Sequence, residues 1–315
     1  MILFEDVVAS FISNINDYAM LVVSFLGTLV LFLIGPILNL INIRRNKIFP
    51  DPKTIVITGA SSGLGVGIAL EYSKEGNNLL ITGRNKERLE QVKTECAKKG
   101  ANVEIALIDI ADREAMKSLL LKYDKKYTVD LVVANAAVSE LMLPEKLNFV
   151  DRTYDLVDIN VYGMLNTVLP LIDNMEARGT GQIAITSSLT EMINFVFPAY
   201  TGSKGFCTSY GLTLRNRLAE SGVGVSVIAP GFVYSRMSDS LKQESLPFCV
   251  TPEQGAKVIR DGLARNKAYI AFSLPTLLYT YFNSIIPPNL KDGWNYISTF
   301  FFSSPDFNRV EKKKQ

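Results

Sequence analysis

From Lys53 to Phe272 short apolar runs alternate with longer amphipathic stretches, and this alternation restricts the fold more than any other feature of the 315-residue chain. The runs are Thr54 to Thr58, Asn78 to Thr82, Asn102 to Ile108, Val129 to Ala134, Gly181 to Thr186, Gly224 to Ala229 and Lys267 to Phe272. Short apolar runs predict strands covered on both faces. The stretches between them, such as Lys86 to Lys99 with Leu89, Val92 and Cys96 on one face, predict helices. Such alternation implies an α/β fold: one doubly wound, parallel, seven-stranded sheet with helices on both faces. No internal repeat or low-complexity segment interrupts it.

The first run opens into Thr58-Gly59-Ala60-Ser61-Ser62-Gly63-Leu64-Gly65, which then continues as an apolar-periodic segment. This is a strand-to-helix turn with glycine at three positions. Glycine permits a tight turn and lets backbone approach a pyrophosphate, while the free N–H groups and dipole of the helix start favour that anion. A dinucleotide is the ligand such a turn suits, at the first turn of a doubly wound sheet.

Composition removes several other chemistries. Lys and Arg number 33 against 31 Asp and Glu, a net charge of +2 that supplies no basic field for nucleic acid. The chain has no histidine, which excludes Ser-His-Asp and Cys-His catalysis and most zinc sites. Its three cysteines, Cys96, Cys207 and Cys249, lack metal-ligand spacing and read as core residues of a reducing compartment, so no metal site is expected. Tyr, Lys, Ser and carboxylates remain as proton handlers. Tyr200 and Lys204, four apart, share a helix face, and an ammonium beside a phenol is expected to lower the phenol's pKa and make it a usable acid and base.

From Lys53 to Phe272 the chain resembles the short-chain dehydrogenase/reductase family. Its TGxxxGxG motif is matched at residues 58 to 65, and further motifs follow in family order: Asp109, Asn135-Ala136-Ala137, Asn160, Ser188, Tyr200-x-x-x-Lys204 and Pro230-Gly231. Ala137 stands where the family commonly has glycine. The resemblance implies a Rossmann-type domain, a nicotinamide dinucleotide and hydride transfer between an alcohol and a ketone. It assigns catalysis to Asn160, Ser188, Tyr200 and Lys204, with Ser188 polarising the carbonyl, Asn160 holding a relay water and Lys204 also binding the nicotinamide ribose. Ser187 is adjacent and open to the same role as Ser188. Cofactor contacts are expected from Gly59, Ser61, Ser62, Gly63, Leu64, Gly65, Arg84, Asp109, Asn135, Ala136, Tyr200, Lys204, Pro230, Gly231 and Val233. Arg84, at the end of the second strand, could grip a 2′-phosphate where NAD-preferring relatives have an acid, so NADP(H) is expected. Family members commonly form homodimers or homotetramers.

The domain carries an appendage. Residues 18 to 43 include no charge over 26 positions, roughly 39 Å of helix against a bilayer core of about 30 Å. Acids precede this stretch and Arg44, Arg45 and Lys47 follow it, the reverse of a cleaved signal peptide, which places residues 1–17 in the lumen and the domain in the cytosol. A buried core helix of a soluble carbonyl reductase is the alternative. Residues 44–52 are a short linker. Residues 273–315 are apolar and aromatic, with Trp294, Tyr296 and Phe300 to Phe302, and end in Lys312-Lys313-Lys314-Gln315, resembling the dilysine retrieval signal of the endoplasmic reticulum. Tether, tail and aromatic region point to a lipid-soluble substrate in or near that membrane. Resemblance offers 3-ketodihydrosphingosine, with steroid, retinoid or 3-ketoacyl substrates as alternatives, and a non-catalytic membrane-bound binding protein as a different class.

Overall fold

All seven apolar runs form strands in the structure, a computed structural model that describes residues 2–45, 48–144, 146–193, 197–239 and 248–293. They are β1 (Thr54–Thr58), β2 (Asn78–Gly83), β3 (Asn102–Leu107), β4 (Leu131–Ala134), β5 (Gly181–Thr186), β6 (Val223–Pro230) and β7 (Tyr269–Phe272). They pair in parallel in the order β3-β2-β1-β4-β5-β6-β7. Asp130, expected inside the fourth strand, instead turns its carboxylate to accept the N–H groups of Lys53 and Thr54 at 2.8 and 2.9 Å. It ties the entry of β1 to that of β4.

Alternate residues of each strand serve opposite layers. Ile55, Ile57, Leu79, Ile81, Leu131 and Val133 face a core shared with α3 (Gly63–Glu71), α4 (Lys86–Lys98) and α10 (Pro252–Ala264). Val56, Leu80, Val132, Ile183, Ile185 and Val225 face the other, shared with α5 (Arg113–Tyr127), α7 (Gly163–Arg178) and α8 (Pro198–Arg217). Helices over both faces explain why β1, β4, β5 and β6 are buried along their whole length and show no polar alternation. Between α6 (Phe149–Val157) and α7 the chain winds for one turn as a π-helix, Asp158–Tyr162, a device common at functional sites. The remaining described helices are α1 (Ile2–Ser13), α2 (Ile15–Arg45), α9 (Arg236–Asp239) and α11 (Leu274–Ser284).

The chain divides into two units, one of residues Asn46–Thr280 and one of Met1–Arg45 with Tyr281–Gln315. In the second, α2 includes a 24-residue stretch, Ile15–Leu38, long and apolar enough to cross a membrane and, Asp17 apart, largely exposed; Phe32 is 79% exposed. It is a candidate transmembrane helix. α1, which the sequence did not announce, precedes it, and Phe11 stacks on Tyr18 with ring centroids 5.1 Å apart. The buried carboxylate of Asp17 accepts a hydrogen bond from Asn289 at 2.9 Å. Trp294, Tyr296, Phe300 to Phe302 and the lysine tail lie outside the described residues.

Candidate active site

The sheet's strand order reverses between β1 and β4, and the crevice at their carboxyl ends is where ligands bind in such sheets. Gly59 and Gly63 both hold positive φ, 69° and 53°, which side chains disfavour. A methyl on Gly59 would stand 2.7 Å from the Ala136 Cα, so the turn is pressed onto the loop after β4. Asn135 staples the two together: its side-chain amide donates to the Thr58 carbonyl at 3.0 Å, and the Thr58 hydroxyl accepts the N–H groups of Asn135 and Ala136 at 3.1 and 3.2 Å. Ser62, at the N-cap of α3, makes no side-chain cap bond, which leaves the first-turn N–H groups for a ligand. These features fit a pyrophosphate. Leu64 turns its side chain into the core, so only its backbone could serve.

The other expected cofactor residues lie at the same edge. Ser61 sits beside the end of β2, where a methyl on Gly83 would meet its Oγ at 3.2 Å. Arg84 follows and is exposed. Asp109, after β3, is exposed and accepts the Ala111 N–H at 3.0 Å. Pro230 ends β6, the Gly231 N–H donates to the Phe272 carbonyl at 3.1 Å, and Val233 bridges to Val250.

Tyr200 and Lys204 lie on the first turns of α8, directly over the end of β5. Lys204 is buried; its Nζ donates to the Thr186 carbonyl at 2.8 Å and stands 5.7 Å from the centre of the Tyr200 ring. The expected lowering of the phenol's pKa is not what this arrangement gives. Burial pushes Tyr200 up to about 12, a hydrogen bond with Ser188 pulls the other way, and the charge of Glu140 adds to the rise. Lys204 is itself driven down by burial, opposed by Cys207 and Glu191. Desolvation dominates at the phenol, and the ammonium spends its hydrogen bond on the Thr186 carbonyl.

The two adjacent serines separate cleanly. Ser188 faces the phenol and accepts from the N–H and hydroxyl of Thr190 at 3.2 and 2.9 Å. Ser187 points the other way, donating to the Glu191 carboxylate at 2.7 Å and the Lys204 carbonyl at 2.8 Å. Asn160 stands on the π-turn and is buried. Its side-chain oxygen accepts the Val138 N–H at 2.8 Å, and its amide donates to the Val138 carbonyl and Ser203 hydroxyl at 2.9 and 3.1 Å. Both ends of that side chain are engaged, so the residue locks the loop after β4 against α8.

Three residues at the site escaped the motif reading. Glu191 gathers hydroxyls from Ser187, Thr208 and Tyr269, the last at 2.8 Å, behind Lys204. Arg88, in the first turn of α4, the helix that follows β2, has a buried Nε with no hydrogen-bond partner among the described residues. Glu140, in the 3-10 turn Glu140–Met142, accepts the Tyr200 N–H at 3.0 Å. No spacing rule marks any of them; their importance comes from neighbours distant in sequence.

The family model for short chain dehydrogenases matches residues 53–246. The chain belongs to the short-chain dehydrogenase family and is an oxidoreductase of that family. An uncharacterized oxidoreductase of Myxococcus xanthus (strain DK1622) is 29% identical over 76% of this chain and 95% of its own length. Oxidoreductase UcpA of Escherichia coli (strain K12) is 30% identical over 62% of this chain and 74% of its own. Among solved structures, one from Beutenbergia cavernae, assigned as an NAD(P) dependent gluconate 5-dehydrogenase and holding NADP, is 25% identical with a TM-score of 0.62, covering 70% of this chain and 94% of that one. A short-chain dehydrogenase from Sphingobium yanoikuyae in complex with NADPH shares the fold at a TM-score of 0.64 and 18% identity, over 80% and 95% of the two chains.

Proposed function

We propose that the protein reduces the ketone of a long-chain lipid to an alcohol with NADPH, and that 3-ketodihydrosphingosine is its substrate. The observation that carries the reaction is the placing of the Tyr200 phenol beside Ser188 at the mouth of the dinucleotide crevice, with the Lys204 Nζ 5.7 Å from its ring centre. Bound NADPH supplies the hydride. Ser188 donates a hydrogen bond to the carbonyl oxygen, and Tyr200 gives that oxygen its proton as negative charge develops there. Lys204, through its ammonium, is the residue from which the phenolate is stabilised once the proton has left.

Arg84 and Arg88 support NADPH over NADH. One is exposed just past β2 and the other, in the first turn of the helix that follows, carries an Nε unpartnered among the described residues, in the region where a 2′-phosphate would be gripped. NADP and NADPH in the two structural relatives agree with this. A lipid substrate is supported by the apolar α2 and by exposed Leu274, Leu278, Tyr279, Tyr281 and Phe282 on and around α11. The lysine tail supports residence in the endoplasmic reticulum membrane with the catalytic domain in the cytosol.

The test is NADPH oxidation by the full-length protein in detergent with 3-ketodihydrosphingosine, beside Tyr200→Phe. Wild type should turn over and the variant should lose at least about 100-fold, the contribution of a positioned acid. Saturable NADPH binding without turnover of this ketone would end the sphingoid reading and move the search to steroid, retinoid and ketoacyl substrates.

A further inference from the structure

Glu140 is a carboxylate beside the catalytic tyrosine for which the reaction above has no task. Its Oε1 is fixed by the Tyr200 N–H at 3.0 Å, in the first turn of α8. Its Oε2 is shut away from solvent with no hydrogen-bond partner among the described residues. The cation that comes near, Arg152, is spent on backbone: its guanidinium donates to the carbonyls of Leu147, Glu140 and Pro144 at 2.9, 3.1 and 3.0 Å. No ion pair to Glu140 exists among the described residues. A helix N-terminus needs one acceptor at this N–H, which a neutral Gln or Ser would provide. A carboxylate adds a charge and a second oxygen, both uncompensated, and burying them is unfavourable until a donor arrives.

We infer that Glu140 binds an ammonium group carried by the substrate next to its carbonyl, so that the ligand class is a long-chain amino ketone. This rests on the ketone-reductase reading and sharpens it. The carboxylate belongs to the same corner of the site as the tyrosine, since its Oε1 accepts the Tyr200 N–H at 3.0 Å and Tyr200 packs on the Val138, Leu143 and Leu156 cluster that flanks the Glu140 turn. A carbonyl oxygen held by Tyr200 and Ser188 therefore leaves the neighbouring carbon's substituent facing Glu140. An ammonium that uncovers Oε2 as it binds makes a charge-assisted bond to it and offsets a charge that works against the developing phenolate. A sphingoid ketone carries such an amine beside its carbonyl; steroid, retinoid and 3-ketoacyl ketones do not.

The experiment compares three ketones of equal chain length, with a free amine, an acetylated amine or hydrogen on the carbon beside the carbonyl. Each is assayed by NADPH oxidation with the full-length wild type and with Glu140→Gln, which keeps an acceptor for the Tyr200 N–H. Wild type should favour the free amine in kcat/KM by about 10- to 100-fold, the range of a bond to a charged group. Glu140→Gln should bring that ratio toward one, mainly through a higher KM for the amine. A wild-type ratio near one, or a ratio that survives Glu140→Gln while all three substrates slow together, overturns the inference and leaves the reductase reading standing. No turnover of any ketone by a protein that still binds NADPH overturns both. Should Glu140→Gln fail to fold, Glu140→Asp keeps the charge and loses reach, and the same drop in ratio is expected of it.

Discussion

Lys204 is an ammonium in a place that disfavours ammonium. Burial drives its pKa down, and the groups that face it are Cys207 one turn away on α8, the Tyr200 phenol above, and the Glu191 carboxylate below. Glu191 is held by hydroxyls from three elements, the turn after β5, α8 and β7, so its charge cannot swing away. The sign of its effect follows directly. An anion raises the pKa of a neighbouring cation, so replacing it by an amide lowers that pKa and strips the charge from Lys204 at a lower pH. Glu191→Gln should therefore shift the alkaline limb of the kcat/KM profile downward by about one pH unit, the lower end of what a close opposite charge supplies. Profiles recorded from pH 6 to 10 decide this: a limb that stays in place shows that Glu191 is only a hydrogen-bonding brace. The same chemistry explains why the phenol was misjudged from sequence. Tyr-x-x-x-Lys spacing reports which groups share a helix face and says nothing of how dry that face is.

The strands were readable because their pattern is local. Each of the seven runs begins and ends within about two residues of its strand, since an element buried on both faces must be apolar throughout. The glycine turn was readable for the same reason: positive φ at Gly59 and Gly63 is a demand on single residues. Helix-to-helix contact is different. Gly67 sits on α3 where a methyl would collide with the Pro252 carbonyl at the start of α10, an approach no sequence spacing reveals. Gly202 on α8 has nothing within 4 Å of the place its methyl would occupy. The same substitution should therefore carry opposite signs. Gly67→Ala forces α3 and α10 apart and should cost about 1–3 kcal/mol, whereas Gly202→Ala gains helix propensity and should stabilise by roughly 0.5–1 kcal/mol. Denaturant midpoints of the two variants in one detergent test this. Equal shifts would mean that the α3 and α10 contact does not limit stability. Glu140, Arg88 and Glu191 were hidden for the same reason as Gly67, because each matters through a partner or an exposed edge that only the tertiary fold supplies.

The whole molecule poses a question of sides. Beyond Asp17 the span of α2 is apolar on every face and largely exposed, which suits lipid rather than water around it. If it spans a membrane, the acids before it and the arginines after it predict a lumenal start and a cytosolic catalytic domain. The proposed retrieval by the lysine tail requires that tail to lie in the cytosol. Asp17, at the start of α2, is nevertheless hydrogen-bonded to Asn289, from the region just before that tail. With α2 across the bilayer, that bond survives only if the chain around residue 289 also reaches the lumenal side. The proposed function requires the other outcome: the protein should resist alkaline carbonate extraction, and protease added outside sealed microsomes should remove both the catalytic domain and an epitope placed after Gln315. A catalytic domain that is cut while the epitope stays protected would mean that the Asp17 and Asn289 pairing persists across the membrane, and retrieval by the lysines would be excluded. Release by carbonate would remove the span itself, and α2 would then have to find its cover on protein.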